Sequence, residues 1–311
     1  GFAMTLDRAL EESPDLKKKY NVDANVRRVV DLARQLEGCA RHVSIHAAGT
    51  VISPTALTDF TPLQIDTREG KIISQYEMKS VESAGLVKMD FLGIRNLSIL
   101  GDAVHLVKKT KGDVIDVEEI PTDDKKTFEL LAAGNTMGVF QLSGDGMTKY
   151  LMDLKPVRIE DIMAMVALYR PGPMEVIPQF IERRFDPKKV RFLDPRMKEF
   201  LQKSYGLLVY QDDVMLTAIH MAGYSWLEAD KLRKAMGKKI PEEMAKQKIK
   251  LLDGFVEHGV KKSLAQKLWK QIEPFAAYGF NKAHAASYGM VAYQTAFMKA
   301  NYPAEYMTAL M

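Results

Sequence analysis

Four stretches combine residue types and spacing that can do chemistry. Asp90 lies in Leu86-Val-Lys-Met-Asp-Phe91, a run that reads as a strand. Alternation puts Lys88 and Asp90 on one face and Val87, Met89 and Phe91 on the other. A strand-borne carboxylate suits a divalent cation, although a salt-bridged surface aspartate has the same local pattern. In Tyr278-Gly-Phe-Asn-Lys-Ala-His284, Asn281 is a good helix N-cap and places Lys282 and His284 in the first turn. Free backbone N–H groups, the positive dipole end and Lys282 then make an anion site, and Tyr278 and Phe280 offer rings for stacking on a base. An ordinary capped helix with buried aromatics would read the same way. In Tyr169-Arg-Pro-Gly-Pro173, two prolines and a glycine stiffen a loop that fixes Arg170.

The fourth stretch is electrostatic. Lys231–Lys250 holds eight Lys or Arg, among them Arg233, Lys234, Lys238 and Lys239, against two Glu. The chain of 311 residues carries +4 overall, so this window is +6 and the remainder −2. It straddles Gly237, where the pattern predicts a helix end. Such a window grips phosphate, of a nucleoside triphosphate or of a nucleic-acid backbone, or it is a solvated helix face.

Other chemistries find no support. Cys39 is the single cysteine, which excludes an intrachain disulfide and a CxxC zinc site and fits a reducing, cytoplasmic compartment. His42 and His46 are four apart but lack the HExxH pattern, so they read as structural. GxSxG, GxxxxGKS/T and GxGxxG are absent. The longest apolar run, Ile162–Leu168, has seven residues, far short of a membrane span.

The elements that must position these groups are mostly helical. Residues 23–38 read as a helix capped by Asp23 and closed by Gly38, with Val26, Val29, Val30, Ala33 and Leu36 on one face. Strands are expected at 71–78 and 86–91, and a long helix follows Gly93. Beyond residue 120 the periodicity predicts helices at 127–133, 159–169, 195–203, 211–221, 227–236, 241–258, 263–272 and 283–300. The last carries Ala286, Met290, Tyr293, Phe297 and Ala300 as a stripe, and Pro303 stops it. The expected class is mainly α with a small α+β part.

Seven phrases, in order, resemble the alpha subunits of bacterial DNA polymerase III, the C-family replicative polymerases. They are RHVSIHAAGTVIS, GLVKMDFLGIRNL, GVFQLSGDGM, ALYRPGPM, LVYQDDVM, KLRKAMGKKIPEEMAKQ and FAAYGFNKAHAASYGMVAYQTAFMKANYPAEYM. Each is weak alone, but seven in register over nearly the whole chain are specific. The resemblance implies a partial polymerase-beta-like nucleotidyltransferase palm followed by a large helical fingers domain. By that reading 1–45 is partial thumb, 46–95 the C-terminal part of the palm, and 96–311 fingers, incomplete at the C-terminal end.

The implied reaction is template-directed transfer of a deoxynucleotide from a dNTP to a primer 3′-hydroxyl, assisted by two Mg²⁺ ions. Asp90 matches the third metal-binding aspartate of the family, with Lys88 beside it. The other two form a DxD pair that has no counterpart here, so the chain alone is expected to be inactive. Arg170 matches the RPGP arginine. Arg233, Lys234, Lys238 and Lys239 match the basic fingers motif, Asn281, Lys282 and His284 the FNKxH motif, and Tyr278 is implied to pack near the nascent base pair. Implied partners are primer–template DNA and, for the intact enzyme, a sliding clamp, a clamp-loader subunit and a proofreading exonuclease, with no membrane. One departure is Ser143-Gly-Asp145 where members often read a basic or small residue at Asp145, which puts a phosphate contact of that loop in doubt. A non-catalytic nucleic-acid-binding module and an error-prone paralogue stay open as alternatives. Retention of Asp90 favours the enzyme.

Overall fold

Short helices and two small two-stranded sheets make up the first of two compact units, Gly1–Gly93, while the second, Ile94–Met311, is almost wholly helical. The computed structural model describes residues 4–39, 43–67, 69–238, 241–275 and 279–311. The chain is mainly α with a small α+β part.

In the first unit, α1 (Leu6–Glu12), α2 (Pro14–Val22) and α3 (Ala24–Leu36) form a helical group. Asp23 caps α3 by accepting from the amides of Asn25 and Val26, and Gly38 follows at φ +85°. Of the apolar face expected on α3, only Val30 is buried; Val26 and Ala33 are half-buried, and Val29 and Leu36 are exposed. Strand β1 (Gly49–Ile52) and β2 (Leu63–Ile65) precede β3 (Ile72–Ser74), α4 (Met78–Ser83) and β4 (Val87–Asp90). β1 pairs antiparallel with β4, Gly49 opposite Asp90 and Val51 opposite Lys88. β2 pairs with β3. The strand expected over 71–78 is shorter than its composition suggested. Glu77 accepts from the amides of Lys79 and Ser80 and so starts α4 at Met78.

The second unit opens with α5 (Arg95–Lys111), ended by Gly112 in the left-handed region. Next come α6 (Lys125–Ala132), α7 (Asp145–Leu154), α8 (Ile159–Leu168) and α9 (Ile177–Phe185). The run Pro195–Ser204 is helical, with one α turn, α10 (Lys198–Leu201), between 3-10 turns. Then follow α11 (Gln211–Ala222), α12 (Trp226–Lys238), α13 (Pro241–Glu257), α14 (Lys262–Phe275), α15 (Lys282–Asn301) and α16 (Pro303–Leu310). Gly237 does not end α12, which runs through it to Lys238.

The apolar run Ile162–Leu168 forms α8, packed against α15 in the largest core. Gly289 lets the two helices meet, since a Cβ there would lie 2.9 Å from Met163 Cγ. Of the stripe expected on α15 only Tyr293 is buried, with Ala286, Met290, Phe297 and Ala300 half-buried, while Ala285, Gly289, Ala292, Gln294, Thr295, Ala296 and Met298 are inside. A second core joins α11 to α14, and a third packs α5 against α16. No helix among the described residues is long and apolar enough to cross a membrane.

Candidate functional site

In the first unit, strand alternation brings Lys88 and Asp90 together as expected. The Lys88 ammonium is a direct hydrogen-bond partner of Asp90 Oδ1. His46 Nδ1 lies 3.3 Å from the same oxygen, whereas Oδ2 accepts no hydrogen bond among the described residues. The Lys88 hydrogen bond, with the charges of Lys88 and His46, holds the Asp90 carboxyl below the ordinary aspartate range. The carboxylate is therefore ionised and oriented through Oδ1, on a side chain that is 56% exposed. Gly49 makes this possible: a Cβ there would stand 2.7 Å from His46 Nδ1 and 3.0 Å from Lys88 Cε. His46 was read as structural. The usable signal was a glycine inside a short strand, which often marks a close approach.

Asp90 contributes a single carboxylate to any metal site. No group of three His, Cys, Asp or Glu side chains among the described residues is placed to hold an ion.

In the second unit, the loop after α8 and the entry to α15 meet. The Arg170 guanidinium lies 4.6 Å from the Phe280 ring centroid, and its Nε donates to the Ala167 carbonyl at 3.0 Å. Partial burial lowers the Arg170 pKa. Rings then continue along α15: Phe280 to His284 at 5.3 Å, and His284 to Tyr288 at 4.0 Å. Lys282 Nζ stands 5.7 Å from the Tyr210 ring centroid.

Asn281 caps α15 as its sequence predicts, accepting from the His284 amide at 2.8 Å. The expectation of free N–H groups at this end needs correction. The Lys282 amide donates to Asp212 Oδ2 at 3.2 Å, so a carboxylate seventy residues away holds one of the first-turn donors. Next to it, Gln211 N donates to the Phe280 carbonyl at 2.9 Å and Gln211 Nε2 to the Gly279 carbonyl at 3.2 Å. The LVYQDDVM and FNKAH phrases are thus one local structure, which periodicity could not reveal.

Asp213 anchors that structure. It is buried, and its Oδ2 accepts from the amides of Val209 and Tyr210, each at 2.8 Å. Burial outweighs these bonds and pushes its pKa up to about 6. Burial likewise raises the Tyr210 hydroxyl.

The basic window is less free than its charge implied. Asp230, just outside it, pairs with Arg233 at 2.7 Å and with Lys234 at 2.8 Å. Lys250 pairs with Glu228 at 2.6 Å. The Lys238 side chain, Lys239 and Tyr278 lie outside the described residues, as do Arg41 and His42. The atypical Asp145 sits in the first turn of α7, where a carboxylate complements the helix dipole. The next residue, Gly146, is pressed against the Tyr169 hydroxyl, with no room for a side chain.

A family model described as the bacterial DNA polymerase III alpha subunit finger domain matches residues 96–259. A second, the bacterial DNA polymerase III alpha NTPase domain, matches residues 1–93. Similar proteins include the DNA polymerase III subunit alpha of Thermus aquaticus, 48% identical over 100% of this chain and 26% of the relative. That of Caulobacter vibrioides is 47% identical over 99% of this chain and 27% of the relative, and that of Escherichia coli 42% over 99% and 28%. The chain spans about a quarter of the length of these curated relatives.

Proposed function

The chain belongs to the bacterial DNA polymerase III alpha-subunit family, and we propose that it serves template-directed DNA synthesis as part of a replicative polymerase. In this reading the first unit presents the carboxylate that works at the primer end, and the second grips the incoming dNTP and the primer–template.

The observation that carries the reading is the state of Asp90. Lys88 and His46 share one carboxylate oxygen of an ionised group, and the other accepts no hydrogen bond among the described residues. A pair of divalent ions, expected to be Mg²⁺, would supply activation of the primer 3′-hydroxyl and neutralise charge at the leaving pyrophosphate. Asp90 Oδ2 is the ligand that this chain would offer. One carboxylate does not make a two-ion site, which supports the expectation that the chain alone is inactive.

The remaining roles fall to this chain's own side chains. Lys88 and His46 keep Asp90 ionised and turned. Arg170, over the Phe280 ring, and Lys282, beside the Tyr210 ring, supply charge for a triphosphate. Phe280, His284 and Tyr288 form a ring-lined face beside them, suited to a sugar or base. Arg233 and Lys234 would add to the grip once released from Asp230. The clamp, clamp-loader and exonuclease partners, and a cytoplasmic location, belong to the proposed whole enzyme.

The test uses a full-length polymerase carrying these residues. Asp90→Asn is expected to cut primer extension at least about a hundredfold while primer–template binding is kept. Unchanged extension would sink the assignment, and extension by the purified 311-residue chain would refute its expected inactivity.

A further inference from the structure

The entry to α15 is built on the start of α11. Gly279 and Phe280 hang from Gln211 through two carbonyl acceptors, and Tyr210 and Phe280 form a parallel bridge. Lys282 hangs from Asp212 through its amide. The supporting turn is itself fixed, because the buried Asp213 ties down the amides of Val209 and Tyr210. The two aspartates divide the labour: Asp213 faces inward and holds α11, while the half-buried Asp212 reaches across to the Asn281–His284 turn.

This arrangement decides where three functional side chains stand. Phe280 is set under Arg170, His284 against Phe280, and Lys282 beside Tyr210. The carboxylate of Asp212 meets the positive end of a 20-residue helix, an interaction that favours a fixed entry angle. We propose that Asp212 is a positioning residue, holding the Lys282 main chain so that the Lys282 ammonium and the Phe280–His284 face meet an incoming nucleotide. The inference rests on the nucleotide reading of this turn.

Two measurements on the 311-residue chain test it: amide hydrogen exchange over residues 279–284, and titration with dATP. Asp212→Asn keeps an acceptor oxygen, so exchange and affinity stay within about twofold of the parent. Asp212→Ala removes the acceptor. It speeds exchange of the Lys282 amide about tenfold and weakens dATP binding several-fold, the scale of one charged hydrogen bond. Its melting temperature stays near the parent's, because Asp213 still holds α11. On a Lys282→Ala background the effect of Asp212→Ala on affinity shrinks, since part of it acts through that side chain.

Unchanged exchange in Asp212→Ala overturns the positioning role. So does tighter dATP binding by Asp212→Ala, which would make Asp212 an occupant that the phosphate displaces. If Lys282→Ala leaves dATP binding intact, the nucleotide reading of the turn fails instead, whatever the exchange data show.

Discussion

The two units solve the burial problem very differently. In the second, large side chains such as Phe180, Leu151, Ile162, Met165, Tyr293 and Tyr306 are fully enclosed, and three cores run through it. In the first, the buried apolar residues among those described are Val30, Val81 and Leu86. Its two sheets have two strands each, an arrangement that is marginal alone. Cross-strand apolar pairs face solvent there: Ile52 with Val87, at 49% and 55% exposure, and Ile65 with Ile72, at 68% and 69%. The carboxylate proposed for chemistry therefore sits in the thinly packed unit, and the cluster proposed to face the nucleotide in the well-packed one. Rigidity in the first unit is local, coming from Lys88, His46 and Gly49 around Asp90 rather than from a core beneath it.

One substitution made in both units breaks or sharpens this contrast most directly. Leu151 in α7 and Leu86 before β4 are both buried, at 0% and 4% exposure. Leu151→Ala leaves a cavity among close-packed helices and is expected to cost about 4–5 kcal/mol. Leu86→Ala, in a unit with few buried apolar side chains and more freedom to collapse, is expected to cost about 2 kcal/mol. Chemical denaturation followed by a probe in each unit reads both values. Equal losses would mean that the first unit is as well packed as the second.

The next largest effect is a pH dependence inside the well-packed unit. Asp213 titrates near pH 6, above the ordinary aspartate value, with Tyr210, Asp212 and Lys282 the charged or titratable groups acting on it. Since its native pKa is raised, the stabilising contribution is complete below about pH 4 and is lost as pH rises to about 6. Asp213→Asn keeps an oxygen for the Val209 and Tyr210 amides without the buried charge. The variant should be more stable than the parent at pH 7.5 by about 2–3 kcal/mol and lack that part of the slope between pH 4 and 6. Thermal melts of both proteins across that range check it, and parallel curves would show that the buried carboxylate carries no such cost.

How much of this was legible in the sequence follows the same division of local from distant causes. Asp23 and Asn281 as caps, Lys88 and Asp90 on one face, and α8 as a buried run all rest on neighbours within a few residues, and the sequence displays such neighbours. Helix α7 was missed because Ser143-Gly-Asp-Gly146 reads as a turn. Its Gly146 is there for the ring of Tyr169, more than twenty positions away. Helix α16 was missed because Pro303 was read only as a stop, although it also stands at the first turn of the next helix. His46 and Asp212 act on groups that only folding brings near, whereas Asp213 acts on amides three and four residues back and went unread because only its burial makes it an anchor. Charge counting overstated the free charge of the window for a plainer reason. The basic window began one residue after Asp230, the carboxylate that pairs with two of its cations.

That pairing gives the smallest expected effect on the fold and a direct probe of the phosphate reading. Asp230 is a surface group on α12, and surface pairs add little stability, so Asp230→Asn should leave the melting temperature nearly unchanged. Its effect should appear in binding. Arg233 and Lys234 lose the partner that holds them, and the helix loses one negative charge beside any bound phosphate. Primer–template affinity at low salt should rise, and the slope of log affinity against log salt should steepen by about one unit. The outcome separates two roles for Asp230. If affinity rises, the aspartate restrains two cations that are otherwise available to phosphate. If affinity falls, Asp230 instead presents Arg233 and Lys234 in the geometry that DNA needs, and the ion pairs are part of the grip rather than a brake on it.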